Sequence, residues 1–156
     1  MSNLTVRIEY SKIDLWVPAG QHASKISPKA NFTMVVYADS SQCSPCFING
    51  LRNWERLNPN ELKAKYKTNV VFIIEPLKDK GEQVKEELIK SHFKYPVLID
   101  THYCFRNANK ELPNQPIYHN FLLNKENKII LVGDPSKNEN IEKLFYDFIS
   151  KRRKYK

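Results

Sequence analysis

The sequence predicts an α/β domain in which helices flank a central mixed β-sheet in three layers. Three short apolar runs, at residues 32–38, 69–75 and 95–100, are typical of buried strands. Segments 45–57 and 80–92 lie between these runs and carry apolar residues at helical spacing. Strands that alternate with helices, followed by a hairpin and a closing helix, indicate this fold class.

The composition is that of one globular domain, with 156 residues, 41% of them hydrophobic and 27% charged. A domain of this length folds without a disulfide or metal staple, and no apolar run is long enough to cross a membrane. The formal net charge is +8, but residues 151–156 carry five of the positive charges, so residues 1–150 carry only +3. Because no basic stripe interleaved with aromatic residues is present, we expect no nucleic-acid partner.

We expect one compact domain made of an N-terminal strand-and-loop extension, residues 1–31, and a main part, residues 32–156. Residues 4–10 alternate between apolar and polar side chains, which predicts a half-buried strand. Residues 17–31 contain two prolines and a glycine, and we expect a loop there.

The remaining elements follow from local patterns. After the strand at 32–38 and the polar loop Asp39-Ser40-Ser41-Gln42, a helix is predicted from about Pro45 to Leu57. Pro59 should end it, and a short helix should run from Asn60 to Tyr66. The other predictions are a strand at 69–75, an amphipathic helix at 80–92 (Val84, Leu88, Ile89), a strand at 95–100, an irregular or briefly helical stretch at 101–116, a hairpin of 117–123 with 128–132, and a last helix with a capping box of Ser136 and Glu139 and an apolar face of Ile141, Leu144, Phe145 and Phe148.

The three cysteines, Cys43, Cys46 and Cys104, are an odd number, which argues against a disulfide framework. The spacing of Cys43 and Cys46 serves redox chemistry or metal binding. After a buried strand and a short loop, Cys43 would lie at a helix N-terminus, where unpaired N–H groups stabilise a thiolate. Cys46, one turn further, could resolve a mixed disulfide, and Pro45 suits the first helical turn. Inert buried cysteines and half of a zinc site remain alternatives.

The stretch FTMVVYADSSQCSPC resembles the active-site strand and motif of thioredoxin-like proteins. YPVLID and FLLNKENKIILVG are similar to later strands of the TlpA-like and peroxiredoxin-like branch of the thiol–disulfide oxidoreductases. The resemblance covers about residues 32–150. It implies a thioredoxin-like three-layer fold and thiol–disulfide exchange with protein substrates, in which Cys43 and Cys46 are the catalytic pair. It implies no cofactor beyond the redox-active disulfide.

Several positions depart from the family pattern. Gln42 stands where the family usually has Trp, and Asn49 stands where TlpA-like proteins often have Glu. The strand at 32–38 has no buried acid, although such acids help to move protons in the family. The usual cis-proline position falls on Tyr118 or His119, with Pro116 as a nearby competitor. We therefore expect Gln42, Ser44, Pro45, Tyr118 and His119 to shape the substrate site.

Other functions remain possible on these residues. Cys43, Cys46 and His119 could bind zinc or copper, since thiolates and imidazole suit both metals. The missing acids also allow a redox-inactive binding module. Ser40 has the spacing of the peroxiredoxin Thr/Ser, but no proline precedes it in the strand at 32–38. We expect Cys104 to be a small, buried hydrophobic residue, with a resolving thiol as the alternative, and His102 to be exposed.

The direction of exchange and the location are further expectations. Ser44 and Pro45 bring no charge between the cysteines, which favours a reducing or isomerising potential, nearer the roughly −270 mV of thioredoxin than the roughly −120 mV of DsbA. The substrates would be protein thiols and disulfides, and the sequence does not identify the electron donor. Kinship with TlpA-like proteins implies the bacterial cell envelope if a signal sequence was removed, and the cytoplasm otherwise.

Overall fold

A computed structural model describes residues 4–21 and 30–151. Within them lies a six-stranded sheet with the strand order β1-β4-β3-β2-β5-β6. β2, β3 and β4 are parallel, whereas β1, β5 and β6 are each antiparallel to their neighbours. The strands are Asp14–Trp16 (β1), Phe32–Ala38 (β2), Thr68–Ile74 (β3), Val97–Ile99 (β4), Asn120–Leu123 (β5) and Ile129–Val132 (β6).

Helices and the N-terminal segment cover the two faces of this sheet, which confirms the predicted three-layer α/β fold. Side chains alternate along β2, so that Met34 and Val36 pack in one core cluster while Val35 and Tyr37 pack in the other. The first cluster includes residues of α1–α4 and α6, and the second includes residues of α5 and of segment 4–13. The helices are Ser44–Gly50 (α1), Asn53–Leu57 (α2), Pro59–Tyr66 (α3), Gly81–Ser91 (α4), Cys104–Ala108 (α5) and Glu139–Lys151 (α6). No helix of the described residues is long and apolar enough to span a membrane.

The strand predicted for residues 4–10 is wrong. Thr5 makes only an isolated bridge with Lys128, because the side chain of Asn109 takes both the N–H and the carbonyl of Arg7. Tyr10–Lys12 instead forms a 3-10 helix. The sheet gains β1, which was not predicted and pairs with β4. Residues 17–21 and 30–31 form neither strand nor helix, as expected for the loop at 17–31, and residues 22–29 lie outside the described residues.

The helix predicted from about Pro45 to Leu57 is interrupted and forms α1 and α2. A turn at Leu51 separates the two helices, and it follows Asn49 and Gly50, two residues of low helix propensity. The fully buried Trp54 anchors α2 in the core, as its spacing predicted.

The short helix α3 begins one residue earlier than predicted, at Pro59 instead of Asn60. Asn58 adopts the left-handed conformation (φ 57°), and its side chain accepts a hydrogen bond from the N–H of Glu61. Pro59 therefore occupies the first helical turn, where a proline fits without losing a hydrogen bond.

The capping box predicted for the last helix is also wrong. Ser136 is buried and donates both its N–H and its hydroxyl to Asp134. The side chain of Asn138 accepts from the N–H of Ile141 at 3.1 Å and so caps α6, which begins at Glu139.

The apolar faces of two helices are narrower than predicted. In α6 the buried residues are Phe145 and Ile149, while Leu144 and Phe148 stay partly exposed. In α4, Ile89 is exposed although Val84 and Leu88 are buried. The predicted strands β2, β3 and β4 are confirmed to within two residues.

Candidate functional site

Cys43 and Cys46 form a disulfide at the start of α1, which follows β2 after a short loop. Their Cα atoms are 5.3 Å apart. Cys43 is the N-cap residue, and its Sγ accepts a hydrogen bond from the N–H of Cys46 at 3.3 Å. Both cysteines are exposed. The disulfide is therefore accessible to a macromolecular partner.

An acidic residue directly follows each of the three parallel strands. Asp39 comes after β2, Glu75 after β3 and Asp100 after β4, and all three are buried. The carboxyl ends of parallel strands share one edge of the sheet, and Cys43 follows Asp39 by four residues. We call these three residues the acidic edge. A buried carboxylate is costly without partners, and each of the three has its own set.

Glu75 is the most enclosed of these acids, with no exposed side-chain surface. It accepts hydrogen bonds from the Tyr37 hydroxyl at 2.9 Å and from the N–H of Ser40 at 3.0 Å. It also forms an ion pair with Arg106 of α5, whose side chain is 49% exposed. Burial and the Glu75 carboxylate raise the pKa of Tyr37, which keeps its hydroxyl protonated as a donor.

Asp39 closes the loop that leads to Cys43. One carboxylate oxygen, Oδ1, accepts from the N–H of Ser41 at 2.9 Å and from its hydroxyl. The N–H of Asp39 donates to Oε1 of Gln42 at 3.2 Å, and the N–H of Gln42 donates to the Asp39 carbonyl at 3.1 Å. Hydrogen bonds among residues 39–42 therefore stabilise the loop, and so does the hydrogen bond to Glu75 at the end of the neighbouring strand.

His119 is buried beside the same loop. Its Nε2 lies 3.0 Å from the carbonyl oxygen of Pro113, whereas its Nδ1 has no hydrogen-bond partner and lies 4.0 Å from Oδ2 of Asp39. A cavity of about 30 Å³ lies between these residues, Tyr37 and Arg106, which is room for about one water molecule. His119 therefore packs against the loop that precedes Cys43.

Residues 116–119 replace the proline turn that the resemblance implies before β5. Pro116–Tyr118 forms a 3-10 helix, so that β5 begins later than the predicted residue 117. The described residues contain no cis peptide bond. The N–H of Tyr37 donates to the carbonyl of His119 at 3.0 Å, which places this turn at the acidic edge. Its most exposed apolar residue is Ile117, at 70%.

The residues predicted to shape the site lie in two groups. The first group, next to the two cysteines in the sequence, is Gln42, Ser44 and Pro45. Gln42 accepts the N–H of Asp39 within the loop, and Pro45 is exposed in the first turn of α1. Tyr118, half-buried, and His119 belong to the turn before β5.

The metal hypothesis finds no support in the described residues. No group of three or more His, Cys, Asp or Glu side chains among residues 4–21 and 30–151 could hold a metal ion. His119, the third ligand of that alternative, has Nε2 3.0 Å from the carbonyl oxygen of Pro113 and Nδ1 4.0 Å from Oδ2 of Asp39.

Cys104 is a free, half-buried cysteine at the start of α5. Its Sγ lies 3.8 Å from the carbonyl oxygen of Lys12. Partial burial and the carboxylates of Asp100 and Glu9 raise the pKa of its thiol. These surroundings indicate a weakly reactive thiol. The prediction that Cys104 is buried is wrong, because its side chain is only half-buried. His102 is exposed, as predicted.

The sequence interpretation missed the polar network around Glu75, Arg106 and Asp39. It searched the strand before Cys43 for a buried acid, whereas the acids lie one position beyond the strand ends. A detectable signal was available, because an acid stands at the end of each of the three apolar runs: Asp39 directly follows residues 32–38, and Glu75 and Asp100 are the last residues of 69–75 and 95–100.

No family model matches the chain, and no curated protein matches it. Solved structures do. The thioredoxin domain of a thiol-disulfide oxidoreductase from Bacteroides vulgatus has a TM-score of 0.60 at 12% identity, covering 96% of this chain and 99% of that one. A putative protein disulfide isomerase from Bacteroides thetaiotaomicron has a TM-score of 0.54 at 17% identity, covering 78% and 73%. A mutant of peroxiredoxin Q from Xanthomonas campestris has a TM-score of 0.55 at 10% identity, covering 94% and 97%.

These three structures match 78% to 96% of this chain. At such low identity the likeness concerns the fold, and it agrees with the resemblance carried by the strand and motif at residues 32–46. The chain has a thioredoxin-like fold.

Proposed function

We propose that this protein is a thiol–disulfide oxidoreductase that reduces or isomerises disulfides of other proteins through Cys43 and Cys46. The observation that carries the proposal is the exposed Cys43–Cys46 disulfide at the start of a helix, directly after a parallel strand of a thioredoxin-like sheet. Structural similarity to a thiol-disulfide oxidoreductase and a putative protein disulfide isomerase supports it.

In the reducing direction the reaction starts from the dithiol. The Cys43 thiolate attacks one sulfur of a substrate disulfide, forms a mixed disulfide and releases the other substrate sulfur as a thiolate, which takes up a proton. The Cys46 thiolate then attacks Cys43 Sγ, which restores the Cys43–Cys46 disulfide and releases the second substrate thiol. Two electrons pass to the substrate, and an external dithiol donor returns them. The disulfide itself carries the electrons, so we propose that the reaction needs no bound cofactor.

The N-terminal position of Cys43 supports its role as the attacking residue. Its Sγ already accepts the N–H of Cys46, and a hydrogen bond to the charged form favours a thiolate. The intervening Ser44 and Pro45 add no charge. We therefore expect a potential closer to the roughly −270 mV of thioredoxin than to the roughly −120 mV of DsbA.

Two surface features indicate where a substrate would bind. Pro45 is exposed beside the disulfide, and Ile117 is exposed in the turn before β5 at the same edge. We propose that a substrate protein contacts this turn, including Tyr118, while its disulfide meets Cys43.

The resemblance to TlpA-like proteins also supports a location in the bacterial cell envelope, and the structural neighbours named above are bacterial proteins. Fractionation of cells that express the gene from its own locus tests this location. Recovery in the cytosolic fraction alone would overturn it.

The decisive experiment is turbidimetric reduction of insulin by dithiothreitol with catalytic amounts of the protein. Cys43→Ser should lower the rate to that of dithiothreitol alone, whereas Cys104→Ser, the matched control, should retain the wild-type rate. Cys46→Ser should accumulate a mixed disulfide with insulin that is visible on non-reducing gels. An unchanged rate for Cys43→Ser would refute the proposed function.

Glutathione equilibration with trapping of the two cysteines measures the potential. We expect a value near that of thioredoxin. A value more positive than about −150 mV would show that a group such as His119 stabilises the thiolate.

A further inference from the structure

Glu75 joins three elements of the fold next to the cysteine loop. Its Oε1 accepts the N–H of Ser40 and pairs with Arg106, and its Oε2 accepts the hydroxyl of Tyr37. Ser40 belongs to the loop that leads from β2 to Cys43. A carboxylate without exposed surface is costly unless it is fully paired, so these contacts hold the loop against β3 and α5.

The position of Arg106 is itself fixed. The carboxylate of Asp100 accepts the N–H groups of Cys104 and Phe105 at 2.9 and 2.8 Å and so sets the start of α5. The guanidinium of Arg106 lies 5.4 Å from the ring centroid of Tyr103. A continuous path of contacts therefore runs from β4 through α5 and Glu75 to the loop before Cys43.

Glu75 and Arg106 also bring two opposite charges to the loop that leads to Cys43. Two residues separate Ser40 from Cys43, so the Cα atoms of Ser40 and Cys43 are at most about 11 Å apart. For comparison, one unit charge at roughly 10–15 Å and an effective dielectric constant of about 20 changes a pKa by about one unit. The two charges have opposite signs, so their effects on a thiolate at Cys43 oppose each other.

We propose that Glu75 is a positioning residue for Cys43, which it places through the N–H of Ser40, and that Arg106 cancels the effect of its charge on the Cys43 thiolate. This inference rests on the proposed function and adds to it the group that tunes the attacking sulfur. Other titratable groups that face the loop are Asp39, directly after β2, and His119, in the turn before β5. These two residues are unchanged in all variants of the test.

The test compares Glu75→Gln, Arg106→Met and the double variant. Glu75→Gln leaves a net positive charge, so the Cys43 pKa should fall and the potential should become more positive. Arg106→Met should raise the pKa by a similar amount and make the potential more negative. Ser40 and Tyr37 can still donate to the Glu75 carboxylate in this variant. The double variant should return both values close to wild type.

Two measurements give the answer: the pH dependence of Cys43 alkylation in the reduced protein, and glutathione equilibration of the cysteine pair. Arg106→Lys keeps the charge and should remain near wild type in both. Variants of the exposed pair Arg56 and Glu142, which joins α2 to α6, are the control for loss of an ion pair elsewhere.

Shifts of the same sign in Glu75→Gln and Arg106→Met, or no shift in either, would overturn the proposal and leave Glu75 a purely structural group. If Glu75→Gln does not fold, Arg106→Met and Arg106→Lys provide the test, because the Arg106 side chain is half exposed and its replacement should leave the fold intact. A raised Cys43 pKa in Arg106→Met with a wild-type value in Arg106→Lys would support the proposal. The equilibration needs no protein substrate, so its outcome is separate from the insulin assay that tests the proposed function.

Discussion

Cys43 and Cys104 lie at comparable places, each shortly after a parallel strand of the same sheet. Each lies at the start of a short helix that follows a parallel strand, β2 in one part and β4 in the other, and an aspartate follows each strand. Asp100 directs its carboxylate into α5 and accepts the N–H groups of Cys104 and Phe105. Asp39 directs its carboxylate into the loop, and Cys43 Sγ itself accepts the N–H of Cys46 in the first turn of α1.

This difference shows that a helix start does not by itself activate a thiol. The activation of the thiol depends on which group accepts the hydrogen bonds of the first amides of the helix. In α5 a carboxylate accepts them, and partial burial together with the charge of that carboxylate raises the pKa of Cys104. In α1 the sulfur accepts the amide, so that a thiolate there gains a hydrogen bond.

The largest expected effect is a difference in alkylation between the two cysteines. In the reduced protein at pH 7, iodoacetamide should modify Cys43 at least about tenfold faster than Cys104, because reactivity follows the thiolate fraction. Peptide mass spectrometry over time measures both rates in one sample. The rate at Cys104 should rise only above the ordinary thiol pKa, in line with its raised value. Equal rates at pH 7 would contradict the comparison.

A smaller effect is expected when the acid at α5 is neutralised. Asp100→Asn removes the charge and leaves a single oxygen to accept two amides, so it should destabilise the protein by about 1–2 kcal/mol. It should also lower the Cys104 pKa, since the Asp100 carboxylate raises it. Urea unfolding gives the first quantity, and the pH profile of alkylation in a Cys43→Ser/Cys46→Ser background gives the second.

Asp14→Asn, at an exposed acid in β1, is the control for Asp100→Asn. It should leave both the unfolding free energy and the Cys104 profile unchanged. A Cys104 pKa that Asp100→Asn leaves unchanged would assign the shift to burial and Glu9.

The two parts also differ in how far the sequence predicts them. Local patterns mark the strand β2, the polar loop at 39–42 and the helix start at Cys43, and the sequence predicts them correctly. The contacts of Glu75 span 31 residues to Arg106 and 35 to Ser40. No local pattern encodes such pairs, because they arise only when the parallel strands place their ends side by side.

The errors in the fold have a similar origin. The alternation at residues 4–10 predicts a strand, but the side chain of Asn109, 102 residues from Arg7, satisfies the backbone there. The pattern of Ser136 and Glu139 fits a capping box, yet Asp134 binds Ser136 and Asn138 caps the helix. In both cases a polar side chain competes successfully for backbone groups that propensity assigns to regular structure.

The smallest expected effect sharpens the comparison at the loop before each helix. Gln42 accepts the N–H of Asp39 at 3.2 Å, so Gln42→Ala should cost about 0.5–1.5 kcal/mol, the range for one hydrogen bond. Gln42→Glu keeps the acceptor and should retain more of this stability. Thr101→Ala, at an exposed position in the loop before α5, should cost nothing measurable, because Asp100 alone sets the start of that helix. Urea unfolding of the oxidised proteins compares the three variants. Equal losses for Gln42→Ala and Thr101→Ala would show that the two loops are held alike. The contrast between a loop at Cys43 that is stabilised in part by its own residues and a carboxylate-capped helix start at Cys104 would then fail.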